Sequence, residues 1–406
     1  MISYIEARRI VAEVALRTLG GRAPAHENVA LEAALGRVLA EPLCADRDAP
    51  PFHRSTRDGF AVRAADVASV PATLALVGEI RAGAEFNGVV RPGECVQIMT
   101  GAAVPSGADA VVMIEHTEPR AGAVLVQRCV AAGANVVPRG NEAKAGDAVL
   151  AAGMRLGYAE ISIAAQFGYA QVAVFARPRV AILSTGDEIV PVAATPSDIQ
   201  IRNSNSFSLA AQVTQAGGVA LPAGNAADER AVLRRKIEEG LAADALVLTG
   251  GVSMGKYDLV EAVLGELGAE FYFDALAIRP GRPAVFGVCQ GKPVLGLPGN
   301  PVSTMVTFEL FGVPLVDVLS GAPPRPLPLL KARARHAVRQ KAALTHFLPA
   351  ELNWENGEAQ VAEVAWQGSG DVAALARANC FLVVPETKLE FAAGDWVDVL
   401  PRRDRI

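Results

Sequence analysis

Apolar residues recur every three to four positions at the start of the chain, a spacing typical of a helix that packs by one face. Ser3 and Glu6 form a capping box, which predicts where this helix begins, and the glycine pair Gly20 and Gly21 predicts where it ends. A similar pattern predicts a second helix over residues 29–39. We therefore expect the N-terminal segment to be helical.

The pattern then changes to short apolar runs separated by glycine and proline, which predicts a β-rich segment over residues 46–140. Residues 141–175 return to mixed character, with a helical run near residues 158–167. We expect residues 1–45 and 141–175 to form one discontinuous helical domain, into which the β-rich domain is inserted.

Strands and helices alternate from residue 176 to about residue 325, which predicts a three-layer α/β domain with a mainly parallel sheet. A proline-rich linker follows, and strand spacing returns over residues 326–406, which predicts a small C-terminal β domain. The fold class is thus a multidomain α/β protein with four predicted domains.

Polar and glycine-rich loops follow several apolar strands of the predicted α/β domain. Because ligands of parallel sheets bind at the carboxyl ends of the strands, we expect these loops to meet. A further loop carries two arginines and is stiffened by two prolines and a glycine. The loops supply N–H donors, hydroxyls, guanidinium groups and carboxylates, which suit a phosphorylated ligand, a divalent metal and a second anion. They are residues 184–188, 249–253, 279–283 and 297–301, with Asp258 after the second.

Each of these residues also has a purely structural interpretation. Asp228 precedes a helical pattern and could be an N-cap. Asp187 and Glu188 could be turn residues, and residues 249–251 could form a plain tight turn. Asn300 lies between glycine and proline and could occupy a left-handed turn position. The sequence leaves these alternatives open for each residue taken singly.

The net charge and the hydrophobic content indicate which classes of protein fit this sequence. The chain has 406 residues, a net charge of −5 and 51% hydrophobic residues. This balance favours folded domains and disfavours general binding to nucleic acid or membranes. We expect no apolar run long enough to span a membrane. The five cysteines and five histidines show no metal-ligand spacing, and together with the absence of a signal-peptide pattern this predicts a cytoplasmic protein.

The loops, taken together, resemble a known family. Residues 249–255 (Thr-Gly-Gly-Val-Ser-Met-Gly), 279–283 (Arg-Pro-Gly-Arg-Pro) and 297–303 (Leu-Pro-Gly-Asn-Pro-Val-Ser) are similar to signature loops of MoeA-type molybdopterin molybdenumtransferases, the family that includes the C-terminal region of gephyrin. Residues 98–102, 184–188, 368–370 and 378–380 fit the same family. The resemblance runs in order along nearly the whole chain.

The resemblance implies an elongated homodimer of four-domain subunits, with a site shared between the α/β domain of one subunit and the first two domains of the other. It implies a reaction in which molybdate and adenylylated molybdopterin give molybdenum on the dithiolene sulfurs and free AMP. It also implies contacts with the molybdopterin adenylyltransferase and with recipient molybdoenzymes.

The family motifs also assign roles to individual residues. The implied catalytic residues are Asp58, Thr100, Glu188, Asp228 and Asp258, of which Glu188, Asp228 and Asp258 would bind Mg²⁺. Arg279 and Arg282 would attract molybdate. The implied cofactor-binding residues are Ser184, Thr185, Gly186, Asp187, Thr249, Gly250, Gly251, Ser253, Arg279, Arg282, Pro298, Gly299, Asn300, Pro301 and Ser303.

The chain departs from the family pattern at a few positions. Arg57 stands where the family usually has methionine, and Arg279 and Arg282 stand where it often has lysine. Two other functions compete with metal insertion: the adenylyltransferase that shares the α/β domain, and a non-catalytic pterin-binding scaffold. The additional domains disfavour the first, and the retained acidic residues disfavour the second.

Overall fold

A computed structural model describes residues 1–21, 24–251, 259–340, 344–388 and 390–405. The N-terminal segment contains helix α1 (Tyr4–Thr18), strand β1 (His26–Ala30) and strand β2 (Leu43–Cys44). The Ser3 hydroxyl accepts a hydrogen bond from the Glu6 backbone N–H, so α1 begins at the predicted cap. Its buried face packs in the same core as the α/β sheet.

The predicted second helix is wrong. Residues 29–39 contain the end of β1, which pairs antiparallel with β12, and a short 3₁₀ turn, Leu31–Ala33. Strand pairing satisfies the backbone here despite the helical spacing of the apolar residues. The segment that follows the insert contains β11 (Ala148–Leu150), α2 (Tyr158–Gln166) and β12 (Gln171–Phe175). The domain expected to be helical is therefore mixed α and β.

The inserted segment is β-rich, as predicted. Strands β4 to β9 form a six-stranded sheet in the order β7-β4-β6-β5-β9-β8, and β3 pairs with β10. These strands are β3 (Arg54–Ser55), β4 (Gly59–Val62), β5 (Ala72–Ile80), β6 (Glu94–Ile98), β7 (Ala110–Met113), β8 (Thr117–Arg120), β9 (Ala123–Val126) and β10 (Val136–Val137).

The α/β region contains a six-stranded sheet in the order β16-β13-β17-β21-β20-β18. The pairings among β16, β13, β17 and β21 are parallel, whereas β20 is antiparallel to both of its neighbours. The sheet is thus mixed but mainly parallel. Its strands are β13 (Arg179–Thr185), β16 (Val219–Ala226), β17 (Ala245–Thr249), β18 (Glu270–Phe273), β20 (Val285–Cys289) and β21 (Lys292–Leu297).

Helices cover both faces of this sheet and form two hydrophobic clusters with it. Strands β14 (Ile189–Val190) and β15 (Ile201–Arg202) pair beside it, and β19 (Ile278–Arg279) joins the C-terminal sheet. The helices are α3 (Asn205–Ala216), α4 (Arg230–Gly240), α5 (Leu259–Glu266), α6 (Pro301–Thr307) and α7 (Val313–Leu319), with a π-helical segment, Phe308–Gly312, between the last two.

Among the described residues, one helix, Pro301–Leu319, is long and apolar enough to cross a membrane by length and composition. Our expectation that no apolar run reaches that length was therefore wrong. Within the protein, 94% of its most apolar window is buried, so it is a core helix.

The C-terminal strands form a closed β barrel, because β24 pairs with both β25 and β26 at the ends of the order β24-β25-β22-β28-β26. Pairs β22–β25 and β19–β24 are parallel. The elements are β22 (Leu330–Ala334), β23 (Val338–Arg339), β24 (Thr345–Glu355), β25 (Glu358–Glu363), α8 (Val372–Arg377), β26 (Cys380–Val384), β27 (Glu390–Phe391) and β28 (Trp396–Pro401).

A fully buried carboxylate connects three parts of the chain. Asp317, on α7, has a side-chain exposure of 0%. Its Oδ1 lies 3.0 Å from a guanidinium nitrogen of Arg155 and 2.6 Å from one of Arg325. Removing either arginine would leave the buried carboxylate with less compensation for its charge, which is strongly destabilising. The ion pairs therefore favour the arrangement in which the segments of Arg155, Asp317 and Arg325 stay in contact.

Candidate functional site

The loops singled out in the sequence meet at one edge of the α/β sheet. A cleft of about 700 Å³ lies beyond the carboxyl ends of the parallel strands β13, β16, β17 and β21. This is the place at which parallel sheets bind ligands. The predicted residues that line it are Ser184, Thr185, Gly186, Glu188, Asp228, Thr249, Gly250, Gly251, Pro298, Gly299, Asn300 and Pro301.

A loop that the sequence reasoning missed also lines the cleft: Arg202, Asn203, Ser204 and Asn205, at the start of α3. The Asn205 Nδ2 donates to Thr249 Oγ1 and to the Gly299 carbonyl, both at 2.8 Å, so one side chain connects two of the predicted loops. The available signal was the run of polar residues, Arg202 to Asn205, directly before the helical pattern of α3.

Hydroxyl and amide groups fix the start of α3 against β13. The Ser184 hydroxyl donates to Asn203 Oδ1 at 3.1 Å, and the same oxygen accepts from the Ser206 N–H at 3.1 Å. In contrast, Asn205 Oδ1 and Thr185 Oγ1 are buried and have no hydrogen-bond partner among the residues that the structure describes. Because buried polar atoms are nearly always paired, each of these two oxygens keeps an unused acceptor position beneath the wall of the cleft.

Three carboxylates lie together at the β13 and β16 side of the cleft. The Asp187 Oδ1 accepts from the Asp228 N–H at 3.0 Å. Partial burial, together with the charges of Asp187 and Glu188, raises the pKa of Asp228. Helix α4 begins at Arg230 and no side chain caps it, so the N-cap interpretation of Asp228 was wrong.

A cation placed among these carboxylates would relieve their repulsion, so their chemistry fits a hard metal ion such as Mg²⁺. The described residues contain no group of three acidic, histidine or cysteine side chains that converge as metal ligands. The third predicted ligand, Asp258, and the predicted cofactor-binding Ser253 lie outside the described residues.

The two predicted arginines line a second cavity of about 480 Å³, which adjoins the cleft through Pro283, Pro298 and Asn300. Arg279 and Arg282 are exposed and form no ion pair with any residue that the structure describes. Ser303, predicted to bind the cofactor, lines this cavity, and so does Ser369 of the C-terminal region. A pocket with two uncompensated guanidinium groups is suited to an oxyanion.

The C-terminal region is attached directly to the loop that divides the two cavities. The Asn300 Nδ2 donates to Ser369 Oγ at 2.9 Å, and the Ser369 carbonyl accepts from the Val302 N–H at 2.9 Å. Asn300 has φ −66° and ψ 124°, so the left-handed turn expected as an alternative is wrong. Its side chain thus connects the α/β region to the C-terminal region by one hydrogen bond.

The remaining two predicted catalytic residues lie in the inserted domain and line neither cavity. Asp58 Oδ1 accepts from the Thr100 N–H at 2.6 Å and from the Thr100 hydroxyl at 2.8 Å. These two bonds lower the pKa of Asp58 and keep it ionised. The structure thus joins Asp58 to Thr100 but does not bring the pair into the cleft of the same chain.

Three family models match successive parts of the chain. They describe the MoeA N-terminal region (domain I and II), over residues 2–168, a probable molybdopterin binding domain, over residues 181–318, and the MoeA C-terminal region (domain IV), over residues 331–401.

Similar proteins match over nearly their whole length. A molybdopterin molybdenumtransferase of Bacillus subtilis (strain 168) is 35% identical over 93% of this chain and 90% of its own. A molybdopterin molybdenumtransferase of Nostoc sp. is 35% identical over 92% of this chain and 88% of its own. A molybdopterin biosynthesis moeA protein from Pyrococcus horikoshii OT3 has a similar structure, with a TM-score of 0.81 at 26% identity over 99% of this chain and 100% of that chain. The chain therefore belongs to the MoeA family of molybdopterin molybdenumtransferases, which act in molybdenum cofactor biosynthesis.

Proposed function

We propose that this chain transfers molybdenum from molybdate to adenylylated molybdopterin and releases AMP, with the nucleotide-linked pterin in the cleft and molybdate in the adjoining arginine-lined cavity. The observation that carries the proposal is that the two cavities share Pro298 and Asn300. A ligand that fills the first cavity therefore lies beside an anion held in the second. Such proximity lowers the entropic cost of the transfer.

The protein groups that line the cleft have distinct roles in this proposal. Thr249 and Asn205 hold the loops in place through the hydrogen bond from Asn205 Nδ2 to Thr249 Oγ1, which keeps Gly250 and Gly251 at the wall of the cleft. In the second cavity, the guanidinium groups of Arg279 and Arg282 attract the molybdate dianion towards a substrate that is itself anionic.

Glu188 and Asp228, together with Asp258, would hold a Mg²⁺ ion at the carboxylate side of the cleft. When bound, Mg²⁺ neutralises phosphate charge and polarises the phosphorus–oxygen bonds. The support for this assignment is the position of Asp228 beside Asp187 and Glu188: burial first, and then the charges of these two neighbours, raise its pKa, and a cation would offset the repulsion between the carboxylates.

The chain acts, in this proposal, as a homodimer in the cytoplasm. Asp58 and Thr100 line neither cavity of their own chain, yet Asp58 is exposed, ionised and held by two hydrogen bonds. A second subunit would supply this pair to the cleft. The adenylyltransferase that makes the substrate and the apoenzymes that receive the product are the proposed protein partners.

The reaction is tested by measuring AMP release from adenylylated molybdopterin with molybdate and Mg²⁺ added singly and together. We expect release only when both are present. Consumption of ATP in place of AMP release would identify an adenylyltransferase, and tight pterin binding without either reaction would identify a scaffold.

The shared site is tested by mixing two inactive variants, Asp58→Ala and Asp228→Ala, after unfolding and refolding them together. In a two-fold dimer, each mixed dimer carries one intact site, so about a quarter of the wild-type activity returns. The control is a mixture of Asp228→Ala with Glu188→Ala, which restores nothing because both changes affect the same chain's half of the site. Equal recovery in the two mixtures would rule out the shared site.

A further inference from the structure

Two isoleucines form an apolar surface in a cleft that is otherwise lined mostly by polar residues and glycine. Ile189 on β14 and Ile201 on β15 both line the cleft. The two strands pair in parallel with Ile189 opposite Ile201, so the two side chains lie next to each other on one face of the ribbon. Val190, one residue further along β14, lines a separate pocket of about 290 Å³, as the alternation of side chains along a strand requires. We call Ile189 and Ile201 the isoleucine pair.

The isoleucine pair is open to the cleft. Ile189 is half-buried, and Ile201 is 57% exposed although it is a large apolar residue. Ligand sites commonly combine an apolar surface of this kind with a few polar groups that fix the orientation of the ligand. Because burial of apolar area is favourable, the pair is suited to the face of a flat ring.

The strand order places the isoleucine pair away from the arginine-lined cavity. Along the sheet edge the parallel strands follow the order β16-β13-β17-β21. Pro298 and Asn300, which the two cavities share, follow β21, whereas the pair follows β13. Neighbouring strands lie about 5 Å apart, so the ends of β13 and β21 are about 10 Å apart. The Glu188 carbonyl accepts from the Ile201 N–H at 2.9 Å, which keeps the pair beside the carboxylates.

The parts of an adenylylated pterin have to follow this order. In the function proposed above, the dithiolene sulfurs lie beside the arginine-lined cavity and the phosphates lie beside Glu188 and Asp228. The adenosine is joined to the phosphates on the side away from the pterin. It therefore extends beyond the carboxylates, to the part of the cleft that contains the isoleucine pair and not towards Arg279 and Arg282.

We propose that the isoleucine pair is the contact surface for the adenine ring of the substrate, so that Ile189 and Ile201 favour the adenylylated pterin over the free pterin. This inference rests on the proposed function, because that function places the sulfurs and the phosphates. The contact is lost when AMP leaves. The pair thus contributes to the binding of substrate and of AMP, and not to the chemical step.

The test measures the Kd of AMP for the full chain in the presence of Mg²⁺ by calorimetry, with ribose 5-phosphate as the probe that lacks the ring. We expect AMP to bind more tightly than ribose 5-phosphate. Ile201→Ala and Ile189→Ala should each raise the Kd of AMP about fivefold, because part of the apolar contact is removed, and leave the Kd of ribose 5-phosphate unchanged. In the AMP-release assay, Ile201→Ala should raise KM by a similar factor with kcat unchanged.

The matched control is Ile199→Ala, because Ile199 is 85% exposed, lies two residues before Ile201 and lines neither cavity. This variant should bind AMP as the wild type does. The proposal is overturned if ribose 5-phosphate binds as tightly as AMP, or if Ile201→Ala and Ile199→Ala have the same Kd for AMP. It is also overturned if Ile201→Ala weakens the binding of free molybdopterin and not that of AMP, which would place the pterin ring on the pair.

The two readouts separate this inference from the proposed function. Normal AMP release by the wild type, with an AMP affinity that does not depend on Ile201, would refute only the role of the isoleucine pair. Absence of AMP release by the wild type would refute the proposed function, whereas an AMP affinity that still depends on Ile201 would support the adenine contact. If Ile189→Ala does not fold, the exposed Ile201 decides alone.

Discussion

Gly250 lies where the loops after β13 and β17 approach each other closely, and the substitution Gly250→Ala tests whether that approach is needed. Its φ is +90°, and a Cβ built on it lies 2.5 Å from the Thr185 carbonyl oxygen and 3.1 Å from Thr185 Oγ1. The Gly250 N–H donates to the Leu297 carbonyl at 3.2 Å, so the backbone is fixed on its other side too. The new methyl group cannot be accommodated without moving the loop.

Gly224, on β16 of the same sheet, provides the matched control. Its φ is +83°, and a Cβ there has nothing within 4 Å. Gly224→Ala should therefore lower the unfolding free energy by about 1 kcal/mol, because the alanine must adopt a left-handed backbone conformation. Gly250→Ala should lower the unfolding free energy by the same amount and by roughly 1–3 kcal/mol more, because its methyl group collides with Thr185.

Unfolding free energies are measured in urea by hydrogen exchange of the β17 amides, which reports on the α/β sheet alone. AMP release is measured on the same samples. We expect Gly250→Ala to lower AMP release on the order of 100-fold, because the displaced loop misplaces the cleft, whereas Gly224→Ala leaves it nearly unchanged. The reasoning is refuted if the two variants lose equal stability, or if Gly250→Ala keeps normal activity.

Three further predictions concern charged groups. Burial, together with the charges of Asp187 and Glu188, raises the pKa of Asp228, so this residue destabilises the fold as pH rises through and above the usual range for a carboxyl. Asp228→Asn should therefore raise the melting temperature at pH 7 but not at pH 3, while abolishing AMP release. Thr100→Val removes one of the bonds that lower the pKa of Asp58, so the acid limb of the pH–rate profile should move to higher pH; an unmoved limb would exclude Asp58 as the group that titrates. Asp317→Asn leaves its two arginine partners uncompensated and should cost roughly 3–5 kcal/mol in urea unfolding. In contrast, Asp398→Asn, at a pair with the exposed Lys331 near the surface, should cost less than about 1 kcal/mol.

The sequence was sufficient for features that depend on local chemistry. The N-cap Ser3 set the start of α1, and Gly217, with φ +107°, ended α3 as its position after a helical pattern indicates. The loops after β13, β17 and β21 were identified because glycine, proline and hydroxyl residues follow buried strands. Their meeting at one edge followed from a general property of parallel sheets.

The tertiary structure decided the features that depend on contacts between residues far apart in the sequence. Residues 26–30 became a strand because β12, more than 140 residues away, offers backbone partners that no local pattern reveals. Asn205 was indistinguishable from any polar residue at a helix start until folding placed its amide between Thr249 and Gly299. Arg155 and Asp317 are 162 residues apart in the sequence, and their ion pair exists only in the folded chain. The local sequence determines which backbone conformations have a low free energy. Burial and hydrogen bonding between distant segments then select one of them.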